Sequence, residues 1–468
     1  MAKLLRIAVI GSGFSGSIFA KQIERYLDNV EIIIFEKNTE LEKFSHWTQP
    51  EQGAALHINP NGMSTIKQHD IDFYRQLRLI STPRKSISVH SINKNCPTQA
   101  SIPDIVDHGL ADDYGAIVRW EQANSLVRQR LVKSKIHYNM QLVSYSYDFT
   151  THKVSLNFNQ NNTTANQNFG LFDLLVGADG RYSTVRKAEE YTASDDTTTF
   201  YNVSNFRLLI PNTAKPIVND LEMIYNVPVY PNNNSHTKLT PFKSLCRIGL
   251  SFCPPTEQAP FGSTYLFGNF ALKKNTEITD TMKRPDFLKT LFMPYGGEAC
   301  LTPHGQWLMR VFDEKCADLH WSRFQSTPIK FTPEEKPNSE ALPILYLGDA
   351  AHAFPPSLGQ GATSAIEDAY VASGVLLASL QRYSLATKAG PYVTIISAIN
   401  RVSKIQKPRI ALIRYASVYA CNHLTSTRPT DAFHDELDAW ATSGLWIDLI
   451  RDIWKKYPRP PTYNSLNT

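Results

Sequence analysis

Apolar and polar positions along the first 36 residues follow two different periods. Leu5 to Ile10 is a short apolar run that stops at Gly11, which predicts a buried parallel strand. From Ser17 to Leu27 the apolar residues Ile18, Phe19, Ile23, Tyr26 and Leu27 fall at helical spacing. Glu31 to Phe35 is a second apolar, β-branched run that closes on Glu36. Strand, helix and strand within ~30 residues predict one βαβ unit. Further on, Ile117 to Lys133 predicts a helix, Val143 to Phe158 an antiparallel hairpin, and Asn157 to Asn168 a loop beside it. Past Phe200 helical periodicity weakens. Leu221 to Tyr230, Ser244 to Phe252 and Ser263 to Leu272 predict strands, with Phe200, Tyr201, Phe206, Tyr225, Tyr230, Phe252, Tyr265, Phe267 and Phe270 recurring through the region. This is the pattern of a second, antiparallel, sheet-based region. Phe331 to Pro343 predicts a connection, Ile344 to Leu347 another buried strand, Ala362 to about Ala420 helix, and Phe433 to Lys456 one more amphipathic stretch.

Composition narrows the class. The 468 residues are 42% apolar and 19% charged, which suits two or three globular domains and excludes fibrous or wholly disordered chains. A formal charge of +5, spread along the chain, predicts no nucleic-acid surface. Six dispersed cysteines (Cys96, Cys246, Cys253, Cys300, Cys316, Cys421) form no C-x-x-C pair. They predict reduced packing thiols and no metal site. No apolar run reaches the ~18 residues that span a bilayer, and Ile7 to Ile10 is too short for a secretory signal. The expectation is a cytoplasmic protein without stable membrane insertion, as a monomer or homodimer.

Three motifs carry chemistry. Gly11-Ser12-Gly13-Phe14-Ser15-Gly16 follows a strand, opens a helix, and precedes Glu36 by twenty residues counted from Gly16. Gly11 turns the chain, Gly13 admits a pyrophosphate to the backbone, and Gly16 lets helix and strand pack closely. The phosphates would lie at the helix N-terminus, where free N–H groups and the dipole favour negative charge, and Glu36 would accept from an adenosine ribose. The second motif, Asp173 to Ser183 with Val185-Arg186, is an apolar strand delivering Asp179-Gly180, which on its own reads as a turn. The third runs from Gly348-Asp349 through Pro355-Pro356 and Gly359-Gln360-Gly361-Ala362 to Glu367-Asp368. There Asp349 suits a sugar-like hydroxyl chain, and the amides of Gly359 to Ala362 suit a partial negative charge.

In this order and at these separations the three motifs resemble the FAD-dependent aromatic hydroxylases, the para-hydroxybenzoate hydroxylase-like flavoprotein monooxygenases, over most of residues 1 to 415. The resemblance implies an α/β fold: a Rossmann-like FAD-binding domain with an inserted antiparallel-sheet substrate domain and a helical C-terminus. Its boundaries would be 1–80, 105–190 and 335–415 for the FAD-binding domain, 81–104 and 191–334 for the substrate domain, and 416–468 for the C-terminal segment. By the same resemblance Gly11, Gly13, Phe14, Ser15, Gly16, Glu36 and Lys37 hold the ADP half of FAD, with Arg119 near the pyrophosphate. Asp179 and Gly180 support FAD and the passage of NAD(P)H, Gly348 and Asp349 take the ribityl chain, and Pro355, Gly359, Gly361 and Ala362 border the isoalloxazine. Arg401 and Arg409 match a basic pair on the late helix.

Two departures stand out: Arg119-Trp120-Glu121-Gln122 replaces the family's Arg-x-x-Leu, and Thr363 stands where many relatives carry Asn or Gly. The implied reaction is NAD(P)H-dependent insertion of one atom of O2 into an aromatic or polycyclic small molecule, through a flavin C4a-hydroperoxide. His57 is the candidate catalytic residue, lying where the family's chain passes the active site, and His352 would brace the third motif. A flavin-dependent halogenase of the same fold is an alternative ranked well below, because that family's Trp-x-Trp-x-Ile-Pro signature is absent: no two of the seven tryptophans are two residues apart. A reductase of the same fold and a flavin-binding redox sensor stay as alternatives.

Overall fold

The computed structural model describes residues 4–39, 54–84, 86–92, 94, 100–103, 114–159, 169–190, 198–218, 221–225, 246–272, 277–293, 297–333, 341–386 and 391–425. The expected loop past Asn159, the end of the Leu221–Tyr230 strand and the Phe433–Lys456 stretch lie outside the described residues.

The chain opens with β1 (Leu5–Ile10), α1 (Phe14–Tyr26), β2 (Val30–Phe35) and β3 (Ala55–Ile58). Then come α2 (Pro60–His69), α3 (Ile71–Leu79), β4 (Thr82–Arg84), β5 (Ser86–Ser91) and β6 (Ala100–Pro103). After β7 (Gly115–Arg119), α4 (Trp120–Gln129) and β8 (Lys135–His137), a hairpin forms from β9 (Gln141–Asp148) and β10 (Lys153–Asn159). β11 (Leu174–Gly177) and α5 (Thr184–Glu190) precede β12 (Thr199–Pro211), β13 (Leu221–Tyr225), β14 (Cys246–Cys253) and β15 (Ser263–Ala271). α6 (Pro285–Phe292), α7 (Pro303–Lys315) and β16 (His320–Ser326) follow. β17 (Ile344–Tyr346), α8 (Asp349–His352), α9 (Gly361–Ala386) and α10 (Pro391–Thr425) complete the described chain.

The first sheet is parallel, in the order β17-β11-β1-β2-β8. Its central strands read as unbroken apolar runs because helices cover both faces: Ile7, Ala8, Val9, Leu174, Leu175 and Val176 are fully buried. The second sheet has seven strands, β16-β12-β15-β14-β13-β5-β6, antiparallel except where β5 runs parallel to β13. This is the α/β arrangement expected from the sequence, with a parallel Rossmann-like sheet, an antiparallel sheet and long C-terminal helices.

Two expectations need correction. Ile117 to Arg119 is not helical: Ala116, Ile117 and Val118 are fully buried in β7, the middle strand of the β3-β7-β4 sheet, and α4 starts only at Trp120. Pairing on both edges overrides the Glu- and Gln-rich composition that follows. The sheet-based region also carries two helices that weak periodicity concealed. Pro285 and Pro303 sit in their first turns, and Leu288, Leu291, Phe292, Leu308, Val311 and Phe312 face inward at helical spacing.

These helices sort the recurring aromatics. Phe206 and Phe270 lie under α6 and α7 in a second core with Phe292 and Phe312. Tyr265 and Phe267, at alternate positions of β15, belong to the opposite face. Phe200 is 54% exposed. Phe206→Ala should therefore lower the unfolding free energy by about 3–5 kcal/mol, whereas Phe200→Ala should cost about 1 kcal/mol or less. Urea-unfolding midpoints would check both.

Candidate functional site

β1, β11 and β17 are neighbours, and each ends in one of the three motifs: Gly11 to Gly16 after β1, Asp179-Gly180 after β11, and Gly348-Asp349 after β17. The carboxyl edge of an open parallel sheet, beside helix N-termini, is where such folds bind ligands. Backbones meet closely here. Gly11 has φ +99° and a Cβ on it would lie 2.3 Å from the Ala178 carbonyl oxygen, while one on Gly16 would lie 2.2 Å from the Gly11 oxygen. Gly348, at φ +59°, places its missing Cβ 3.1 Å from Ser15 Oγ, so the first and third motifs touch.

Among the described residues, a Cβ on Gly13 or Gly361 would meet no atom beyond its own stretch of chain within 4 Å. Gly13 caps α1 without any side-chain hydrogen bond, which leaves first-turn amides as donors. The Asp179 carboxylate accepts from the Thr184 amide at 2.6 Å through Oδ2, capping α5, while its buried Oδ1 has no partner among the described residues. Burial raises its pKa. Space along the glycine turn, uncapped amides and an orphaned carboxylate oxygen fit a dinucleotide with a pyrophosphate.

Glu36, at the end of β2, is 6% exposed and accepts from Ser12 N at 3.0 Å, Ser12 Oγ at 2.7 Å and Asn38 N at 3.0 Å. A carboxylate has about four acceptor positions, so one remains for a ribose hydroxyl. Lys37 beside it is exposed, and Phe14 and Ser15 are buried in the first turn of α1.

Arg119 caps α4, but its guanidinium is held by Ser263 Oγ at the start of β15 and lies 3.9 Å from Glu121. The basic group at the first motif is instead Arg128, one face further along α4. Its Nε donates to the Ser12 carbonyl at 2.9 Å, and Nη2 lies 3.8 Å from Glu36. No sequence signal separated Arg128 from Arg119 and Arg130, which flank that helix.

The third motif is clamped by two adjacent carboxylates of α9, both fully buried. Asp368 Oδ2 accepts from the Gly348 amide at 2.9 Å and contacts His352 Nε2 at 2.5 Å, and Oδ1 accepts from Gln406 of α10 at 2.8 Å. Burial opposes charge on His352, but the Asp368 and Asp349 carboxylates together raise its pKa. Glu367 accepts from Arg409 Nη2 at 2.5 Å and Asn61 Nδ2 at 3.1 Å, and burial pushes its pKa up to about 7 against the pull of Arg409.

From α2 and the residue before it, Asn59 and Asn61 reach across some 300 residues of sequence. Asn59 N donates to Thr363 Oγ1 at 3.0 Å and its Nδ2 to the Gly359 carbonyl at 3.3 Å, while Asn61 Nδ2 also contacts Gln360 Oε1 at 3.3 Å. Thr363 is thus an acceptor that fixes the loop. Arg186 of α5 ties the second motif to the third, donating to the Ala350 and Ala351 carbonyls at 3.2 Å. Pro355 is buried; Gly359, Gly361 and Ala362 are half-buried along the loop.

His57, on β3, stands between that loop and the second sheet. A Cβ on Gly359 would lie 3.8 Å from the His57 Cβ. Its Nε2 is 3.0 Å from Ser251 Oγ of β14, and its ring meets Phe267 and Tyr265 edge-on at centroid distances of 5.7 and 6.2 Å. The ring is half-buried, yet desolvation, helped by the Arg84 charge, lowers its pKa to about 3. An unfolded histidine titrates near 6.5, so between about pH 6.5 and 3 the unfolded chain binds a proton that folded His57 refuses. His57 therefore subtracts stability as pH falls through that window. His57→Gln should lose less stability than wild type between pH 7 and 4.5, read from thermal midpoints at both pH values.

No protein-family model matches the chain. The FAD-dependent monooxygenase ausM of Emericella nidulans is 23% identical over 416 residues, covering 87% of this chain and 76% of its own length. Kynurenine 3-monooxygenase of Saccharomyces cerevisiae is 22% identical over 381 residues, 81% of this chain and 74% of the yeast protein. Among solved structures, HpxO of Klebsiella pneumoniae complexed with FAD and uric acid superimposes with a TM-score of 0.67 at 16% identity, covering 97% of each chain. The fold is thus shared with a flavoprotein, and the chain is similar, over four-fifths or more of its length, to FAD-dependent and kynurenine monooxygenases.

Proposed function

We propose that the chain is an NAD(P)H-driven, FAD-dependent monooxygenase acting on an aromatic or polycyclic small molecule. The observation that carries this is the convergence of three loops at the carboxyl ends of β1, β11 and β17. In this reading the parallel sheet holds the cofactor and the seven-stranded sheet presents the substrate. Gly11 to Gly16 and Glu36, with Arg128 behind them, would take the ADP half. Asp179 and Gly180 would border the pyrophosphate and the path of NAD(P)H. Gly348 and Asp349 would take the ribityl chain, and Pro355 with Gly359 to Ala362 the ring. When bound, FAD supplies the acceptance of a hydride and the activation of O2.

The chain's own residues supply the rest. Asp368 and Glu367 hold the third motif rigid from behind, so that Asp349 is presented from a preset backbone. The α9 N-terminus offers amides to negative charge on the ring. His57, neutral at physiological pH, can donate or accept a hydrogen bond to substrate without carrying charge, sharing Nε2 with Ser251. A pKa near 3 makes it a poor proton store at pH 7, so its role is to orient rather than to act as general base. The half-buried Phe267, backed by the buried Tyr265, offers apolar surface that excludes water. The kynurenine of one relative's name and the uric acid of the HpxO complex are both ring-bearing small molecules, which supports the same class here.

The purified protein should be yellow, and NADPH or NADH oxidation should accelerate when a suitable aromatic compound is added. A colourless protein that takes up no FAD when offered it would overturn the reading. Two glycines separate cofactor contact from folding. Gly13→Ala should leave the thermal midpoint of the FAD-free protein nearly unchanged, since among the described residues no atom beyond the adjoining chain lies within 4 Å of the added methyl. Its FAD dissociation constant should rise about tenfold or more, the equivalent of about 1.4 kcal/mol. Gly16→Ala collides with backbone and should destabilise the FAD-free protein by about 1–3 kcal/mol or more.

A further inference from the structure

The seven-stranded sheet lays a phenylalanine over a glycine on each of its faces, and packing explains only one of them. Under α6 and α7, Gly268 stands opposite Phe206 in the β12–β15 ladder, and a Cβ on Gly268 would lie 2.1 Å from the tip of that ring. Phe206 is fully buried among Phe292, Phe312 and Trp321, so close packing of a core accounts for it. On the opposite face Gly249 stands opposite Phe267 in the β14–β15 ladder, and a Cβ on Gly249 would lie 2.0 Å from Phe267 Cζ. The Phe267 ring therefore lies across β14 instead of standing off the sheet. Although β15 is a central strand, this ring is only half-buried. The buried Tyr265 backs this ring, its centroid 5.6 Å away and inclined by 33°, and His57 meets the Phe267 ring edge-on at 5.7 Å. The same histidine borders the Gly359 loop.

We propose that Gly249 is the specificity-determining position of this site: having no side chain, it lets Phe267 lie down along the sheet, and the floor so formed accepts a flat substrate of two or more fused rings. The inference rests on the monooxygenase reading, which makes this face the substrate side. Offset stacking between planar rings at centroid separations of about 4.5–7 Å supplies the attraction. His57, set between the floor and the Gly359 loop, bounds the length of ligand the floor accepts and so supplies the selectivity. A methyl on residue 249 has one easy remedy, because the atoms it strikes are the far end of a side chain. Phe267 swings up off the sheet, toward His57, and shortens the slot.

The test uses the full-length, FAD-loaded protein and the shift of its flavin absorption spectrum on titration with phenol, 2-naphthol and 9-phenanthrol. Wild type should bind more tightly as rings are added. Gly249→Ala should weaken 2-naphthol and 9-phenanthrol roughly tenfold or more while phenol changes less than about threefold. Adding Phe267→Ala to that variant should relieve the collision without restoring the preference for fused rings, since the flat floor is then gone. Phe267→Leu, which replaces the flat floor with a branched chain, should by itself abolish the preference for fused rings and serves if Gly249→Ala folds poorly. The proposal is overturned if Gly249→Ala binds all three phenols as wild type does, if Phe267→Leu keeps the preference, or if the yellow wild-type protein responds to none of them. A wild-type protein that takes up no FAD when offered it would instead overturn the proposed function, a result visible before any phenol is added.

Discussion

Close backbone approach at the carboxyl edge of three adjacent parallel strands is the constraint on which the rest of the site depends. Gly11 leaves no room for a side chain beside Ala178, Gly16 none beside Gly11, and Gly348 turns with positive φ against Ser15. Any larger residue would push apart strands whose registers are set by paired, fully buried apolar runs. The loops therefore converge because the sheet packs tightly, and the uncapped amides of α1 follow from the same geometry.

Holding the third motif takes a different kind of interaction. Glu367 and Asp368 are consecutive and fully buried, and each reaches different elements: Asp368 the Gly348 amide, His352 and Gln406, Glu367 the Asn61 amide and Arg409. Buried ion pairs contribute little net stability, because desolvation offsets attraction, but removing one partner leaves a costly orphan. Their gain here is definition: α2, α9, α10 and the Gly348 loop are locked in one arrangement. The raised pKa of Glu367, about 7, shows how strongly burial acts on it even beside an arginine.

The second sheet divides its labour between faces. One face carries Phe206, Leu208 and Leu266 into a core under α6 and α7. The other carries Ser251, Tyr265 and Phe267 toward His57. A period of two along β12, β14 and β15 makes this sorting automatic once register is set, and a slip of one residue would exchange the two faces.

The sequence by itself determined the parallel sheet, the order of the three motifs, the hairpin and the long late helices, because local periodicity and glycine turns encode them. The resemblance of those motifs to flavoprotein hydroxylases was also legible, and relatives aligned along most of the chain are monooxygenases. Only the tertiary structure decided that Arg119 turns toward Ser263 while Arg128 reaches the glycine loop, and that Asn59 and Asn61 brace residues some 300 positions away. It also decided that β7 is a strand and that one aromatic face is core while the other stands open to His57. These depend on which surfaces meet in three dimensions. No local period carries that information, since a hydrogen bond between distant residues leaves no trace in the spacing of either.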